Sequence, residues 1–175
     1  MEHPYDPKLK HFFEAIQKED PLGAVIRTHI YMESYLSDFI EAVIPYPNEL
    51  ENITNSYSRK LELAFALGLD PRFKKPLKAL NKIRNEFAHE PETTLSKQKV
   101  SALFNAFSAE DKDVVEKIYQ SSRLATKRQG KSKLQKRWQT LTSEDQFVLF
   151  SLVLRAIIIV ATEQGRDETI SLESQ

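Results

Sequence analysis

The stretch PLGAVIRTHIYMESYLSDFIEAVI, Pro21 to Ile44, decides the fold of this chain. From Leu22 onward its apolar residues Val25, Ile26, Ile30, Met32, Tyr35, Leu36, Phe39, Ile40 and Val43 recur at the steps of an amphipathic helix. Asp20 offers an N-cap oxygen and Pro21 suits the first turn, where an amide proton has no helical partner. Pro45 and Pro47 end the run, so one long central helix is expected.

The same period continues on both sides. Leu9, Phe12, Phe13 and Ile16 give Lys8 to Glu19 the pattern of a short amphipathic helix. After a polar linker to about Asn55, Ser56 to Leu67 reads as a third helix, with Leu61, Ala64, Phe65 and Leu67 inward and Gly68 as its stop. Leu69 to Pro76 is a connector, and a further helix runs from about Pro76 to a stop at Pro91, with Leu80, Ile83 and Phe87 as its core stripe. Ser96 caps a helix to about Phe107, and Ser108 with Asp111 opens another through Val114, Val115, Ile118 and Tyr119. Phe147 to Ala161 is apolar almost throughout, broken only by Ser151 and Arg155, and reads as a buried bundle helix. No strand-like alternation, glycine-rich phosphate loop or internal repeat interrupts the helices. The expectation is an all-α bundle of about six or seven helices: a single domain over residues 1–165, followed by an acidic, loose tail over 166–175.

Composition narrows the function classes. There is no cysteine, which removes disulfides, thiolate metal sites and a cysteine nucleophile. His3, His11, His29 and His89 show no metal-ligand spacing, so neither a metal nor another cofactor is expected. The start lacks the regions of a signal peptide and no uncharged apolar run reaches the ~18 residues of a membrane span, so a cytoplasmic protein with no membrane partner is expected. No short helix pair with a glycine turn leads into a basic recognition helix, which argues against a DNA-reading module.

Charge is balanced overall, 25 basic against 25 acidic residues, but unevenly distributed. Lys117 to Ser143 holds eight basic residues and no acidic one: Lys117, Arg123, Lys127, Arg128, Lys131, Lys133, Lys136 and Arg137. Such a strip is either a solvated helix face with a loop around Gly130 or a phosphate-contacting track. On the second reading Trp138 and Tyr119 are stacking platforms, and Lys127, Arg128, Lys131, Lys133, Lys136 and Arg137 are the nucleic-acid contacts.

The hexapeptide Arg84-Asn85-Glu86-Phe87-Ala88-His89 places a guanidinium, an amide and an imidazole within about two helical turns. Arginine can hold phosphate oxygens bidentately and histidine can move a proton near neutral pH, so the group suits a phosphodiester. Asn85 and His89 are four apart and share a face, whereas Arg84 lies further round and must reach with its side chain. The same residues also admit structural roles. His89 can cap the helix against its dipole, and Arg84 can pair with a carboxylate such as Glu33, which with His29 either joins the cleft or, the favoured reading, forms an ordinary helix-surface pair.

The run from Leu61 to Leu69 (LELAFALGL), followed after a short connector by Lys82 to His89 (KIRNEFAH), resembles the mannitol operon repressor family. It is also similar to the wider HEPN superfamily, whose signature is an arginine, a polar residue and a histidine four to six positions on. The resemblance covers Ser56 to His89, about a fifth of the chain, and the part after Ser108 matches no known pattern. It implies an RNA-binding domain acting as a metal-independent endoribonuclease, usually a homodimer with two motifs facing one cleft. Carried onto this sequence, His89 would be general base or acid at a ribose 2'-hydroxyl. Arg84 would stabilise the charge on the phosphate, and Asn85 would orient one of them. The repressor side of the resemblance implies a non-catalytic transcriptional regulator acting through protein contacts. A third class keeps the nuclease site and adds an antitoxin or regulatory protein partner.

Overall fold

The computed structural model describes the backbone of residues 7–50, 56–90, 92–128 and 137–173, and side chains within these except at 7, 48, 121–128 and 168–173. It is an all-α bundle, with seven α-helices and no strand among the described residues. In chain order the helices are α1 (Pro7–Gln17), α2 (Pro21–Val43), α3 (Tyr57–Ala66), α4 (Lys74–His89), α5 (Lys97–Ala106), α6 (Ala109–Arg128) and α7 (Ser143–Glu173). Short 3-10 turns at Pro47–Leu50, Pro71–Phe73 and Trp138–Thr140 fill three of the connections.

The pair α2 and α7 forms the centre, with the most extensive contact of any two elements. Helix α2 starts as its sequence dictates: Asp20 accepts the Gly23 amide at 2.7 Å and Pro21 occupies the first turn. Its buried stripe, Ala24, Val25, Thr28, His29, Met32, Leu36, Phe39 and Ile40, follows the three- and four-residue steps of the sequence. Helix α7 is buried almost all round between Phe147 and Leu154, so it must be covered on every side. Helix α1 lies on both central helices, α3 and α4 lie on α2, and α5 and α6 lie on α7. Contact between α4 and α5 joins the two groups. By length and composition Ser143–Asp167 would suffice to cross a membrane, yet 56% of its apolar window is buried inside the bundle.

Local sequence explains the junctions around α4. Gly68, at φ 109°, ends α3 in the left-handed region that only glycine enters at low cost. Asp70 accepts the Arg72 amide at 2.9 Å to start the 3-10 turn that leads into α4. Pro76 falls in the first turn of α4, where its missing amide proton costs nothing, so the helix begins at Lys74 rather than at the proline. Arg72 reaches Glu110 at 3.1 Å and Asp111 at 3.8 Å, which ties this turn to the start of α6.

Two expectations are corrected here. Residues 166–173, expected within a loose tail, instead continue α7, which runs through Gly165 to Glu173. Gly165 is buried against α2, and a Cβ built there would run into Val43 Cγ1, so this glycine serves close helix approach instead of helix termination. Trp138 and Tyr119 are core residues, 7% and 5% exposed, not stacking platforms. The Trp138 ring lies 4.5 Å from that of Phe104 and 5.5 Å from that of Phe150, so it has no free face for a base.

Gly165→Ala sets a clash against a gain in helix propensity. Overpacking costs about 1–3 kcal/mol, while the propensity gain is at most about 1 kcal/mol. Chemical denaturation should therefore show a net loss, of up to about 2 kcal/mol once the propensity gain is taken off. Adding Val43→Ala should abolish the penalty of the glycine substitution. An alanine at 165 that is neutral with Val43 in place would refute the close approach.

Candidate functional site

Leu80, Ile83 and Phe87 of α4 are buried, as their spacing requires, which turns the opposite face of the helix outward. That face forms one wall of a groove of about 530 Å³ whose other wall is α3. From α3 come Ser58, Glu62 and the buried Leu61. From α4 come five nitrogen-bearing side chains in a row, Lys78, Asn81, Lys82, Asn85 and His89, together with the carboxylates Glu86 and Glu90.

The motif residues divide between this groove and its flank. Asn85 and His89 are exposed and line it. Arg84 is half-buried and not among the lining residues, consistent with the angle of about 140° that separates positions five apart on a helix. It nonetheless reaches its neighbour, with Nη1 donating to Asn85 Oδ1 at 3.0 Å. A guanidinium only donates, so the asparagine oxygen is engaged and its amide nitrogen is left to face outward. His89 stands in the last turn of α4, with its imidazole open to the groove.

Behind the row lies a buried cluster that sequence reading missed. His29, 6% exposed, bonds through Nε2 to Asn81 Oδ1 at 3.0 Å, joining α2 to α4. A carbonyl oxygen only accepts, so Nε2 carries the proton and Nδ1 the lone pair. The imidazole lies over the Tyr57 ring at 4.3 Å, and the Tyr57 hydroxyl donates to the Leu77 carbonyl at 3.2 Å. Burial pushes the His29 pKa below its ordinary value. The Asn81 bond opposes this, the nearby Arg84 charge adds to it, and Glu33 opposes it. Burial, with a smaller contribution from the Glu33 charge, likewise pushes the Tyr57 hydroxyl upward, so it stays protonated.

These contacts correct two sequence readings. Glu33 does not pair with Arg84; it bonds Lys60 of α3 at 3.1 Å. His29 is not half of a surface pair with Glu33, because its ring is inside and its partner is on another helix. A signal for the groove was present, since stepping back from His89 through Asn85, Lys82, Asn81 and Lys78 traces one polar helix face. Nothing in the spacing of α2 alone tells that His29 would meet that face from behind.

The carboxylates moderate the charge of the groove. Glu86 is engaged by Lys99 of α5 at 2.6 Å, and Glu90 accepts the Thr93 hydroxyl at 3.0 Å. Glu62 stands on the opposite wall. No cluster of side chains able to hold a metal ion occurs among the described residues. Of the basic strip, Arg137 is exposed. Lys131, Lys133 and Lys136 lie outside the described residues, as do the side chains of Lys127 and Arg128. Comparison with family models, with curated proteins and with solved structures finds no match to the chain.

Burial of a neutral His29 links folding to pH. The unfolded imidazole takes its proton near about pH 6.5, and the folded one only below that. Between these values the unfolded state binds more protons, so the contribution is full above about pH 6.5 and is lost as the pH falls toward the folded pKa. Thermal melts between pH 7.5 and 5 should show this loss. His29→Gln, whose amide can still donate to Asn81, should flatten that part of the profile. An unchanged profile would show that His29 titrates as if exposed.

Proposed function

We propose that this protein is an RNA-binding domain of HEPN type that uses the α3–α4 groove as a metal-independent endoribonuclease site, working as a homodimer. One observation carries the reading: the imidazole of His89 opens on a groove beside Asn85, whose amide is held in place by Arg84. Arg84 and Asn85 are thus bonded, and Asn85 shares one accessible groove with His89.

The chemistry asked of them is modest. The ribose 2'-oxygen is already held next to phosphorus by the substrate, so the nucleophile is intramolecular. His89 takes the 2'-hydroxyl proton as that oxygen attacks phosphorus. The bond to the 5'-oxygen breaks, leaving a 2',3'-cyclic phosphate, and the departing oxygen takes a proton. In a dimer with two motifs facing one cleft, the second copy's imidazole is placed to give that proton. Arg84 and the Asn85 amide meet the charge that grows on the non-bridging oxygens. Arg84 lies on the flank toward α2 in one protomer, so a strand touching both Arg84 and His89 crosses the ridge that Asn85 occupies.

A second reading keeps the scaffold without turnover, as a regulator acting through protein contacts. The observation favouring it is the carboxylate content of the groove, where Glu62, Glu86 and Glu90 line the surface together with Lys78 and Lys82. A mixed surface of this kind suits a protein partner better than a uniformly basic one does.

Purified protein should cut single-stranded RNA in EDTA and leave 2',3'-cyclic phosphate ends. His89→Ala should lower the rate by about 10²- to 10⁴-fold, the usual worth of a general acid or base, with the helical circular dichroism unchanged. Equal cleavage by wild type and variant would reject the catalytic assignment. Absence of cleavage, together with a pull-down that is indifferent to His89, would favour the regulator.

A further inference from the structure

Two asparagines on the groove face of α4 each have the amide oxygen engaged, one in an exposed contact with its neighbour and one by a buried residue of α2. Asn85 Oδ1 accepts from Arg84 Nη1 at 3.0 Å, and Asn81 Oδ1 accepts from His29 Nε2 at 3.0 Å. The His29 donor is buried and the Arg84 contact is an exposed one between adjacent residues, yet each engages an amide oxygen, and each amide nitrogen is the half that remains for the groove. The two are four residues apart, one turn along the same face. Lys78 and Lys82 add ammonium donors to the row and His89 ends it. From Lys78 to His89 the row extends about 16 Å at the helical rise, long enough for more than one phosphate of a single strand.

Nothing in the hexapeptide motif requires Asn81 or His29. Their arrangement repeats that of Asn85 and Arg84 one turn earlier, with a neutral imidazole in place of the guanidinium. Burial of His29 against Tyr57 keeps that donor aimed at Asn81 and holds the amide in one orientation.

We propose that Asn81, oriented by His29, is a second phosphate-binding amide of this groove, taking the phosphodiester next to the one that faces Asn85 and His89. The inference rests on the RNA reading and adds to it a binding position along the strand. Asn81 contacts the ligand; His29 is a positioning residue that acts through it. A row that presents donors outward fits the non-bridging oxygens of a phosphodiester strand, and its length favours a strand over a single anion. Glu62 on the facing wall keeps that strand on the α4 side.

The test is fluorescence anisotropy in EDTA, using a labelled oligoribonucleotide whose 2'-hydroxyls are methylated so that it cannot be cleaved. Asn81→Ala should weaken binding about tenfold, the scale of one hydrogen bond to a charged group, and Asn81→Asp more, because a carboxylate repels the phosphate. His29→Leu should weaken binding as Asn81→Ala does, and the double variant no further. His29→Gln should retain most of the affinity, which a purely structural role for the ring would not require. Should His29→Leu fail to fold, the two Asn81 variants and His29→Gln decide the matter. Wild-type affinity in both Asn81 variants would overturn the inference and leave the RNA reading standing. Failure of the wild-type protein to bind RNA would remove both. Competition by an oligo-glutamate peptide as effective as unlabelled RNA would also overturn the phosphate assignment, and would point to an acidic protein partner.

Discussion

Helix α7 has no side that can face water over Phe147 to Leu154, and the bundle is built around that constraint. A helix apolar all round must be enclosed, and one partner helix covers only one side of it. The long α2 takes one side, with Gly165 allowing the two backbones to close up near Val43. The remaining sides are filled by α1, α5 and α6, in contacts too short to enclose it singly. Helices α3 and α4 pack on α2 instead, so they are one layer out and keep a polar face. The candidate site therefore lies on the second layer, over α2 and away from α7.

That position explains why α2 reaches into the site from below. Its buried stripe is apolar along most of its length but carries His29 where α4 crosses. A buried imidazole needs a partner, and Asn81 supplies an acceptor from the inner edge of the α4 polar face. The hydrogen bond meets two demands at once: it satisfies a group that burial would otherwise penalise, and it fixes the orientation of an amide that borders the groove. Tyr57, stacked on the same ring and bonded to the Leu77 carbonyl, makes α3 part of the arrangement. The Glu33–Lys60 ion pair adds a further link between α2 and α3.

The periodicity of the sequence made the fold largely legible, since a three- and four-residue apolar step reports burial directly. Asp20, Pro21, Gly68 and Ser96 marked helix ends for stereochemical reasons that hold in any context. The residues that misled were those whose role depends on a distant neighbour. The segment after Gly165 reads as a tail unless Val43 is known to lie across from that glycine. Trp138 reads as a basic-strip aromatic unless Phe104 and Phe150 are known to flank it. His29 and Glu33 are spaced as a pair on α2, and only the packing of α3 and α4 separates them, giving one to Asn81 and the other to Lys60. At the candidate site, Asn85 and His89 on one face and Arg84 reaching from another followed from helical arithmetic. The second amide did not, because its orientation is set by a residue fifty-two positions away in the chain.

The electrostatics of the groove follow from the same geometry. Net charge over the chain is zero, so the chain as a whole exerts no net pull on a polyanion, and within this groove attraction falls to short-range, oriented donors. An amide whose oxygen is already occupied is such a donor: it carries no charge, is little affected by salt, and offers only its nitrogen to a ligand. Lys78 and Lys82 contribute charge, but Glu62, Glu86 and Glu90 offset it within the same groove. On the proposed reading, discrimination between a phosphodiester and an acidic side chain would rest on geometry more than on total charge. Asn81 and Asn85 are one helical turn apart, and His29 and Arg84 fix the directions of their amides. The His29 bond comes from a buried ring and the Arg84 bond is at the surface, so Asn81 is the more firmly oriented of the two.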